Sequence, residues 1–399
     1  MTHPSPIPVI RMRSNKSPQR VRFGAPWIFK DEIVLDRRAR KIAPGSIVEL
    51  QAHDGERLGL CAFNADSRIT GRMLTRDVDA KIDKSWIKIR LQNALDLRQR
   101  FFDAPFYRLI HAEADGLPGI IIDRFGDVAV IQPNAAWAEV YLDDLVAALM
   151  ELTGVSTIIK NGSGRARSLE GLPEETVVLT GAIDGPVPVQ MNGATYFADV
   201  MGGQKTGLFF DQRDNHAFAA RLAKGASVLD VFSHVGGFAL AALAAGADAA
   251  LAVDSSVPAL DLATQGAKTT GFSGKFTTIK GDAFDVMSGL ATEGRKFGTV
   301  ICDPPAFAPA KPALAAGLRA YERVARMGAA LVEPGGYLVL CSCSHAADLA
   351  SFREASIRGI GKSGRQAQLL HTGAAGPDHP MHSHLAESGY LKALFFRLN

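Results

Sequence analysis

The alternation of apolar and polar positions divides the chain into three blocks. Up to about residue 76, short apolar runs at 46–51, 58–63 and 69–74 are separated by Asp54-Gly55 and by residues 64–67. Short runs bounded by turn formers predict strands, so this block reads as a small β-barrel-like module. Residues 81–102 change period: Ile87, Leu91 and Leu95 recur four apart with Lys and Arg between them, which predicts a helix. Runs at 119–123 and 128–132 predict a hairpin, 138–153 an amphipathic helix, and 157–160 and 176–179 two more strands. The order strand, strand, helix, strand, strand predicts a compact α+β (ββαββ) unit.

Two apolar-rich runs then flank Asn192-Gly193, a strong hairpin signal. From Asp211 onward helical and strand periods alternate. Strands are expected at 227–231, 250–254, 276–280, 299–302 and 337–341, and helices at 214–223, 237–245, 257–271, 283–293 and 312–331. Alternation of this kind predicts an α/β, Rossmann-like doubly wound parallel sheet. The expected domains are 1–80, 81–185 with its leading helix, and 186–399 with its leading hairpin.

Charge sharpens this division. Residues 1–100 carry 20 Lys and Arg against 11 Asp and Glu, a net +9, while the rest carries 24 against 30, a net −6. A basic first quarter on a mildly acidic body suggests a polyanion-binding module, although a solvated basic surface has the same composition. Arg11, Arg13, Arg22, Arg68 and Arg72 are its candidate phosphate contacts, with Lys205 further along the chain. The longest apolar run, 238–253, is interrupted by Asp248, so no membrane span is expected. The first eight residues lack an apolar signal core, which predicts a cytoplasmic location. Four cysteines in 399 residues are too few for a disulfide framework and are expected as thiols.

The ends of the predicted parallel strands carry the chemistry. Residues 227–240 read as a buried strand with Asp230 inside its end, a turn Phe232-Ser-His-Val-Gly-Gly237, then a helix. Gly236 and Gly237 let the backbone approach a ligand at a helix N-terminus. Asp254-Ser255 ends the next strand, where an acid can accept from both hydroxyls of a ribose. Asp282-Ala283 ends the third, placed to hold an adenine edge, and Asp282 is equally a helix N-cap. Asp303-Pro304-Pro305 ends the fourth. The turn is not Gly-x-Gly-x-x-Gly, so the set fits S-adenosylmethionine better than a nicotinamide cofactor.

Five stretches carry a resemblance to a known family. They are Arg108-Leu-Ile-His-Ala-Glu-Ala-Asp-Gly-Leu-Pro-Gly-Ile-Ile-Ile-Asp-Arg-Phe-Gly-Asp127, Gly202-Gly-Gln-Lys-Thr-Gly-Leu-Phe-Phe-Asp-Gln-Arg-Asp214, Phe232-Ser-His-Val-Gly-Gly-Phe238, Cys302-Asp-Pro-Pro-Ala-Phe307 and Cys341-Ser-Cys-Ser344. With Asp378-His-Pro380 and Tyr390-Leu-Lys392, the chain resembles the ribosomal large-subunit methyltransferase I type of class I RNA methyltransferase over nearly its whole length. The resemblance implies an N-terminal PUA domain for RNA, a central α+β domain and a C-terminal methyltransferase using S-adenosylmethionine. It implies 5-methylcytosine in large-subunit (23S) rRNA as product, and it places Gln212 and Arg213 near the cofactor. Two positions depart from the pattern: Gln204 stands where a His is common, and His234 where Tyr or Asn is usual.

Carbon 5 of cytosine is a poor nucleophile until a thiolate adds to carbon 6, so this chemistry needs an ionisable thiol at the ligand edge of the sheet. Cys343 lies just past the fifth predicted strand, on that edge. Cys341 shares its face but lies deeper, Cys302 points to the opposite face, and Cys61 belongs to the first module. In similar cytosine enzymes a second cysteine often follows the Asp-x-Pro motif; here Pro305-Ala306 occupies that slot, which implies a single-cysteine version. Asp303 is expected on the N3/N4 edge of the base. Phe307 is a candidate stacking partner or a core residue, and His345 or water a candidate for the base that removes the carbon-5 proton. No metal site is expected, since Cys341 and Cys343 lack a second ligand pair. A homodimer is compatible with all of this. Two rival readings remain: a base-nitrogen (guanine) RNA methyltransferase using Asp-Pro-Pro without a thiol, and a non-catalytic RNA-binding assembly factor.

Overall fold

A computed structural model describes residues 7–203 and 206–399. These form two compact units. The first comprises Met1–Gly185, Val200–Thr206 and Pro377–Ala386; the second comprises Pro186–Asp199, Gly207–Gly376 and Glu387–Asn399.

The first unit opens with β1 (Val9–Arg11), a short α1 (Gln19–Arg22), β2 (Trp27–Phe29), β3 (Ser46–Gln51), β4 (Arg57–Phe63) and β5 (Ile69–Thr75). They form one sheet in the order β1-β3-β4-β5-β2, around Ile10, Ile28, Val48, Leu50, Cys61 and Phe63. The strands β3 to β5 follow the expected runs. β1 and β2, three residues each, are too short to show a period.

Helix α2 (Lys84–Gln99) starts at Asp83, whose carboxylate accepts from the Trp86 amide, and buries Ile87, Leu91 and Leu95. It precedes a second sheet made of β6 (Phe106–His111), β7 (Ile120–Phe125), β8 (Val128–Pro133), β9 (Thr157–Asn161) and β10 (Thr176–Thr180), in the order β10-β9-β8-β7-β6. Helices α3 (Ala136–Val140) and α4 (Leu142–Thr153) follow β8, and α5 (Arg165–Leu169) follows β9. The expected ββαββ unit thus gains a strand, β6, and its one helix becomes two, broken at Tyr141. Arg108 obscured β6 by interrupting its apolar run. In the fold Arg108 is buried opposite Asp123 of β7, with two 2.8 Å hydrogen bonds between them.

Buried charge also draws two later segments into this unit. Arg98, fully buried, makes a two-pronged pair with Asp115 at 2.6 and 2.7 Å and donates to the Asp378 carbonyl at 2.9 Å. Asp378 accepts from the Arg108 amide at 3.1 Å, and the Thr206 hydroxyl donates to Asp123 at 2.5 Å. Guanidinium groups out of water need anionic and carbonyl partners, and here remote chain supplies them. A single block at 186–399 does not anticipate this.

The second unit begins with the hairpin β11 (Val187–Met191) and β12 (Ala194–Ala198), whose turn residues Asn192 and Gly193 both have positive φ. Then come α6 (Arg213–Leu222), β13 (Ser227–Val231), α7 (Gly237–Ala244), β14 (Ala249–Asp254), α8 (Val257–Thr270), β15 (Phe276–Lys280), α9 (Ala283–Thr292), β16 (Phe297–Cys302), α10 (Leu314–Leu331), β17 (Val332–Ser342), α11 (Leu349–Lys362), β18 (Ala367–Gly373) and β19 (Lys392–Leu398). The sheet order is β15-β14-β13-β16-β17-β19-β18. The first five strands are parallel, as the alternation predicts, and β19 and β18 add an antiparallel edge. The chain winds outward from β13 to β15, then returns to β16 on the other side of β13. The carboxyl ends of β13 and β16 therefore flank the switch point where such sheets bind ligands. Leu229, Val231, Val300, Leu338 and Leu340 pack with Val324 and Ala329 of α10 and Phe352 of α11 beneath it. Among the described residues, no helix is long and apolar enough to cross a membrane.

Candidate active site at the carboxyl edge of the parallel sheet

The turn after β13 is strained. Phe232 and His234 hold φ of 65° and 49°, and Gly236 holds 79° as it caps α7; residues with a Cβ rarely occupy that region without a purpose. Asp230 is fully buried and accepts from the Ala239 amide at 2.9 Å. Burial, reinforced by Asp303 and Asp254, pushes its carboxyl up to about 7. Asp230 Oδ1 and Ser233 Oγ are buried without a hydrogen-bond partner among the described residues. Two orphaned polar atoms beside a helix N-terminus suit a charged, polar ligand. Gly237 has another reason to be glycine: a Cβ there would lie 2.6 Å from the His216 ring. Burial holds that imidazole neutral, its pKa pushed down to about 3.

Asp254, at the end of β14, accepts from the amides of His234 and Ser256, each at 2.9 Å. It thereby ties the glycine turn to the neighbouring strand, with Ser255 exposed beside it. Asp282 caps α9, one oxygen accepting from Phe284 and Asp285 at 2.9 and 3.2 Å, while Ala283 is buried. The capping role is thus present, and Asp282 remains exposed at the strand end.

Asp303 follows β16, and its carboxylate accepts from the Gln212 side-chain amide at 2.9 Å. Gln212 is buried and accepts in turn from Asn215 at 2.6 Å, and Asn215 also donates to the Ala374 carbonyl at 3.1 Å. This chain of amides orients Asp303. Arg213 stacks over Phe210 with its guanidinium 5.4 Å from the ring centre. Sequence reasoning had Gln212 and Arg213 but missed Asn215, three residues after Gln212 and one helical turn away. Asp211 was missed as well; it is buried and accepts from the Tyr390 hydroxyl at 2.5 Å.

Cys343 lies one residue beyond β17 and is half-buried, whereas Cys61, Cys302 and Cys341 are buried. Burial pushes all three of those thiols up, Cys61 to about 12. The residues flanking Cys343 are pinned. Ser342 Oγ donates to the Tyr321 hydroxyl at 2.9 Å, that hydroxyl lies 2.7 Å from Ser344 Oγ, and Ser344 Oγ accepts from the Ala308 amide at 2.9 Å. Lys392 donates to the carbonyls of Ser344 and Ala347, both at 2.7 Å. None of Tyr321, Ser344 or Lys392 had a role assigned from sequence, because their meeting depends on α10 and β19 packing beside β17. Phe307 is half-buried against Tyr321, ring centres 5.0 Å apart. His345 is exposed, 5.7 Å from the Tyr390 ring. Among the described residues, no cluster of His, Cys, Asp and Glu has the makings of a metal site.

The basic candidates separate. Arg68 is exposed and makes no side-chain hydrogen bond among the described residues. Arg11 and Arg13 are exposed and donate to the Gln51 side chain and the Ile33 carbonyl. Arg22 pairs with Glu56. Arg72 departs from the expectation of a phosphate contact: its side chain is 13% exposed and pairs with Glu113 at 2.9 Å and Glu170 at 3.2 Å. Two carboxylates within its own unit take the donors a phosphate would need. Lys205 lies outside the described residues, as does Gln204.

The fold agrees with what known proteins show. Residues 178–397 match the family model for S-adenosylmethionine-dependent methyltransferases, and residues 10–76 match that for a PUA-like domain. A match over more than half the chain makes this an S-adenosylmethionine-dependent methyltransferase. The ribosomal RNA large subunit methyltransferase I of Aliivibrio fischeri (strain MJ11) is 36% identical across 94% of this chain and 95% of its own length. The protein of that name from Aeromonas salmonicida (strain A449) is 34% identical across 93% and 95%. The chain therefore belongs to the ribosomal RNA large subunit methyltransferase I family. A Streptococcus mutans protein assigned as a SAM-dependent methyltransferase shares the fold over 98% of this chain and 100% of its own, with a TM-score of 0.80 at 18% identity. The M. jannaschii tRNA m1G37 methyltransferase shares it over 78% and 79%, with a TM-score of 0.51 at 17% identity.

Proposed function

We propose that this protein methylates carbon 5 of a cytosine in large-subunit (23S) rRNA through a covalent bond between Cys343 and carbon 6 of the base. The observation that carries the reading is the position of Cys343. It is the one half-buried thiol of the four, and it sits on the same sheet edge as Asp303 and the turn after β13.

S-adenosylmethionine supplies an electrophilic methyl group when bound. Asp230, Phe232, Ser233, Gly236, Gly237, Asp254, Ser255, Asp282 and Ala283 are the residues proposed to hold it, with Gln212 and Arg213 beside them. The Cys343 thiolate adds to carbon 6 of the cytosine, and the displaced electron pair makes carbon 5 nucleophilic. Asp303, oriented by Gln212, hydrogen-bonds the N3/N4 edge and helps the ring accept that addition. Carbon 5 takes the methyl, a base removes the carbon-5 proton, and the ring electrons expel the thiolate. His345, exposed in the loop after β17, is the protein's candidate for that base. The target base must leave any helical stack, with Phe307 proposed as its stacking partner. Arg11, Arg13, Arg22 and Arg68 are proposed phosphate contacts, so RNA affinity should fall as salt rises. The relatives' name supports large-subunit rRNA as the substrate.

Cys343→Ala tests the chemistry. The substitution should lower methyl transfer to rRNA on the order of 10⁴-fold or more, as loss of a covalent nucleophile does. Methylation that persists and maps to a guanine would replace this reading with base-nitrogen transfer at the Asp303-Pro304-Pro305 motif. No methyl transfer by the unaltered protein to naked rRNA or ribosomal particles would favour an assembly factor.

A further inference from the structure

Lys392 opens β19 and pairs with Ser342, the last residue of β17. It is a buried lysine, 8% exposed. Its two hydrogen bonds go to neutral backbone oxygens of Ser344 and Ala347, in the segment that follows Cys343. An ammonium has three protons, so a third remains beyond those two. Burial pushes the ammonium down; Cys343, and after it Asp348, pull it back up through space. A buried cation bonded to neutral carbonyls is unfavourable unless an anion lies close. The chain can place two there, a thiolate at Cys343 and, after it, the carboxylate of Asp348. A ligand-independent frame keeps the lysine and the cysteine together: Tyr321 bridges the hydroxyls of Ser342 and Ser344 on either side of the cysteine.

We propose that Lys392 is the positioning residue for Cys343, fixing the loop that carries the thiol and supplying the positive charge that favours the thiolate. The inference deepens the reading of Cys343 as nucleophile and rests on it. The other titratable groups around this loop are Tyr321 from α10, Asp348 at the start of α11, and His345 with Tyr390. Asp303 acts on Cys341, two residues earlier. Tyr321 is neutral at physiological pH, Asp348 disfavours a thiolate and His345 is exposed to solvent, so Lys392 is the buried group of the right sign held against the loop.

The test reads the thiol rather than the RNA. The full-length protein is alkylated with iodoacetamide between about pH 6 and about pH 10, and Cys343 modification is followed by peptide mass spectrometry. The midpoint should lie below the ordinary cysteine value of about 8.5. Lys392→Gln keeps donors but loses the charge, and should raise the midpoint by about one unit, which is about tenfold slower alkylation at neutral pH. Lys392→Arg should restore most of the difference. A midpoint at or above the ordinary value in the unaltered protein overturns the proposal without need of any variant. So does a midpoint that stays put in a folded Lys392→Gln protein. Retained rRNA methylation by Cys343→Ala would instead sink the nucleophile reading and leave the alkylation result standing.

Discussion

The turn after β13 and the loop after β17 sit at the ends of strands in the same sheet, yet they are built in opposite ways. The first holds two non-glycine residues at positive φ and leaves buried oxygens of Asp230 and Ser233 without hydrogen-bond partners among the described residues. In the second, Ser342, Ser344, Tyr321 and Lys392 bond to one another or to backbone on both sides of Cys343. The turn proposed to receive a ligand's polar groups keeps some of its own unsatisfied. The loop proposed to present a reactive thiol uses its polar groups to hold itself still.

The comparison can be broken most severely at Gly237. Gly237→Ala puts a methyl into the buried His216 ring, and overpacking of this kind should cost about 3 kcal/mol. Thermal unfolding should show the loss, and His216→Ala added to it should recover a good part; no recovery would mean that the backbone, not the ring, forbids the side chain. Next comes Tyr321→Phe, which removes the hydroxyl that links the two serines. It should lower methyl-transfer turnover by about 10-fold to 100-fold, about 1.4 to 2.7 kcal/mol, while calorimetric binding of S-adenosylhomocysteine stays unchanged. An equal loss of cofactor affinity would blur the distinction between the two regions.

Asp230 gives a pH signature. Its folded pKa, about 7, lies above that of an unfolded aspartate, about 3.9. The folded state therefore keeps a proton that the unfolded state has released, and the stability linked to that proton is fully present below about pH 4 and lost as pH rises through about 7. Asp230→Asn should flatten this, so its melting temperature relative to the parent should be higher at pH 8 than at pH 4. A pH-independent difference would show that Asp230 does not hold the proton. The smallest effect is expected at Ser233. Removing an unpartnered hydroxyl with Ser233→Ala should leave stability within about 0.5 kcal/mol, whereas Ser344→Ala should cost about 1 to 2 kcal/mol because it abandons partners on two sides. Equal melting shifts for the two serines would remove the contrast.

Much of the second unit was legible from local pattern. Residues 227–231 carry a short apolar run and 276–280 the aromatic and β-branched residues that favour strands, and the structure has strands at those bounds. Gly236 and Asp254 stood out because turn and strand-end chemistry depend on near neighbours in the chain. β6 was not legible, since Arg108 reads as a solvent-facing charge until Asp123 is placed opposite it. Arg72 failed in the reverse sense: in the chain it is one more basic residue, and only folding sets Glu113 and Glu170 around it.

The sequence by itself determined the parallel strands, the glycine turn and the thiol just past β17. Periodicity and turn chemistry act over a few residues, and a cysteine at a strand end needs no partner to be noticed. Only the tertiary structure decided what surrounds that thiol. Tyr321 arrives from α10 and Lys392 from an antiparallel strand 49 positions beyond Cys343, paired with β17 at Ser342. Hydrogen bonding and charge act through space at a few ångströms, so the groups that surround the Cys343 loop are selected by the packing of strands and helices rather than by their order along the chain.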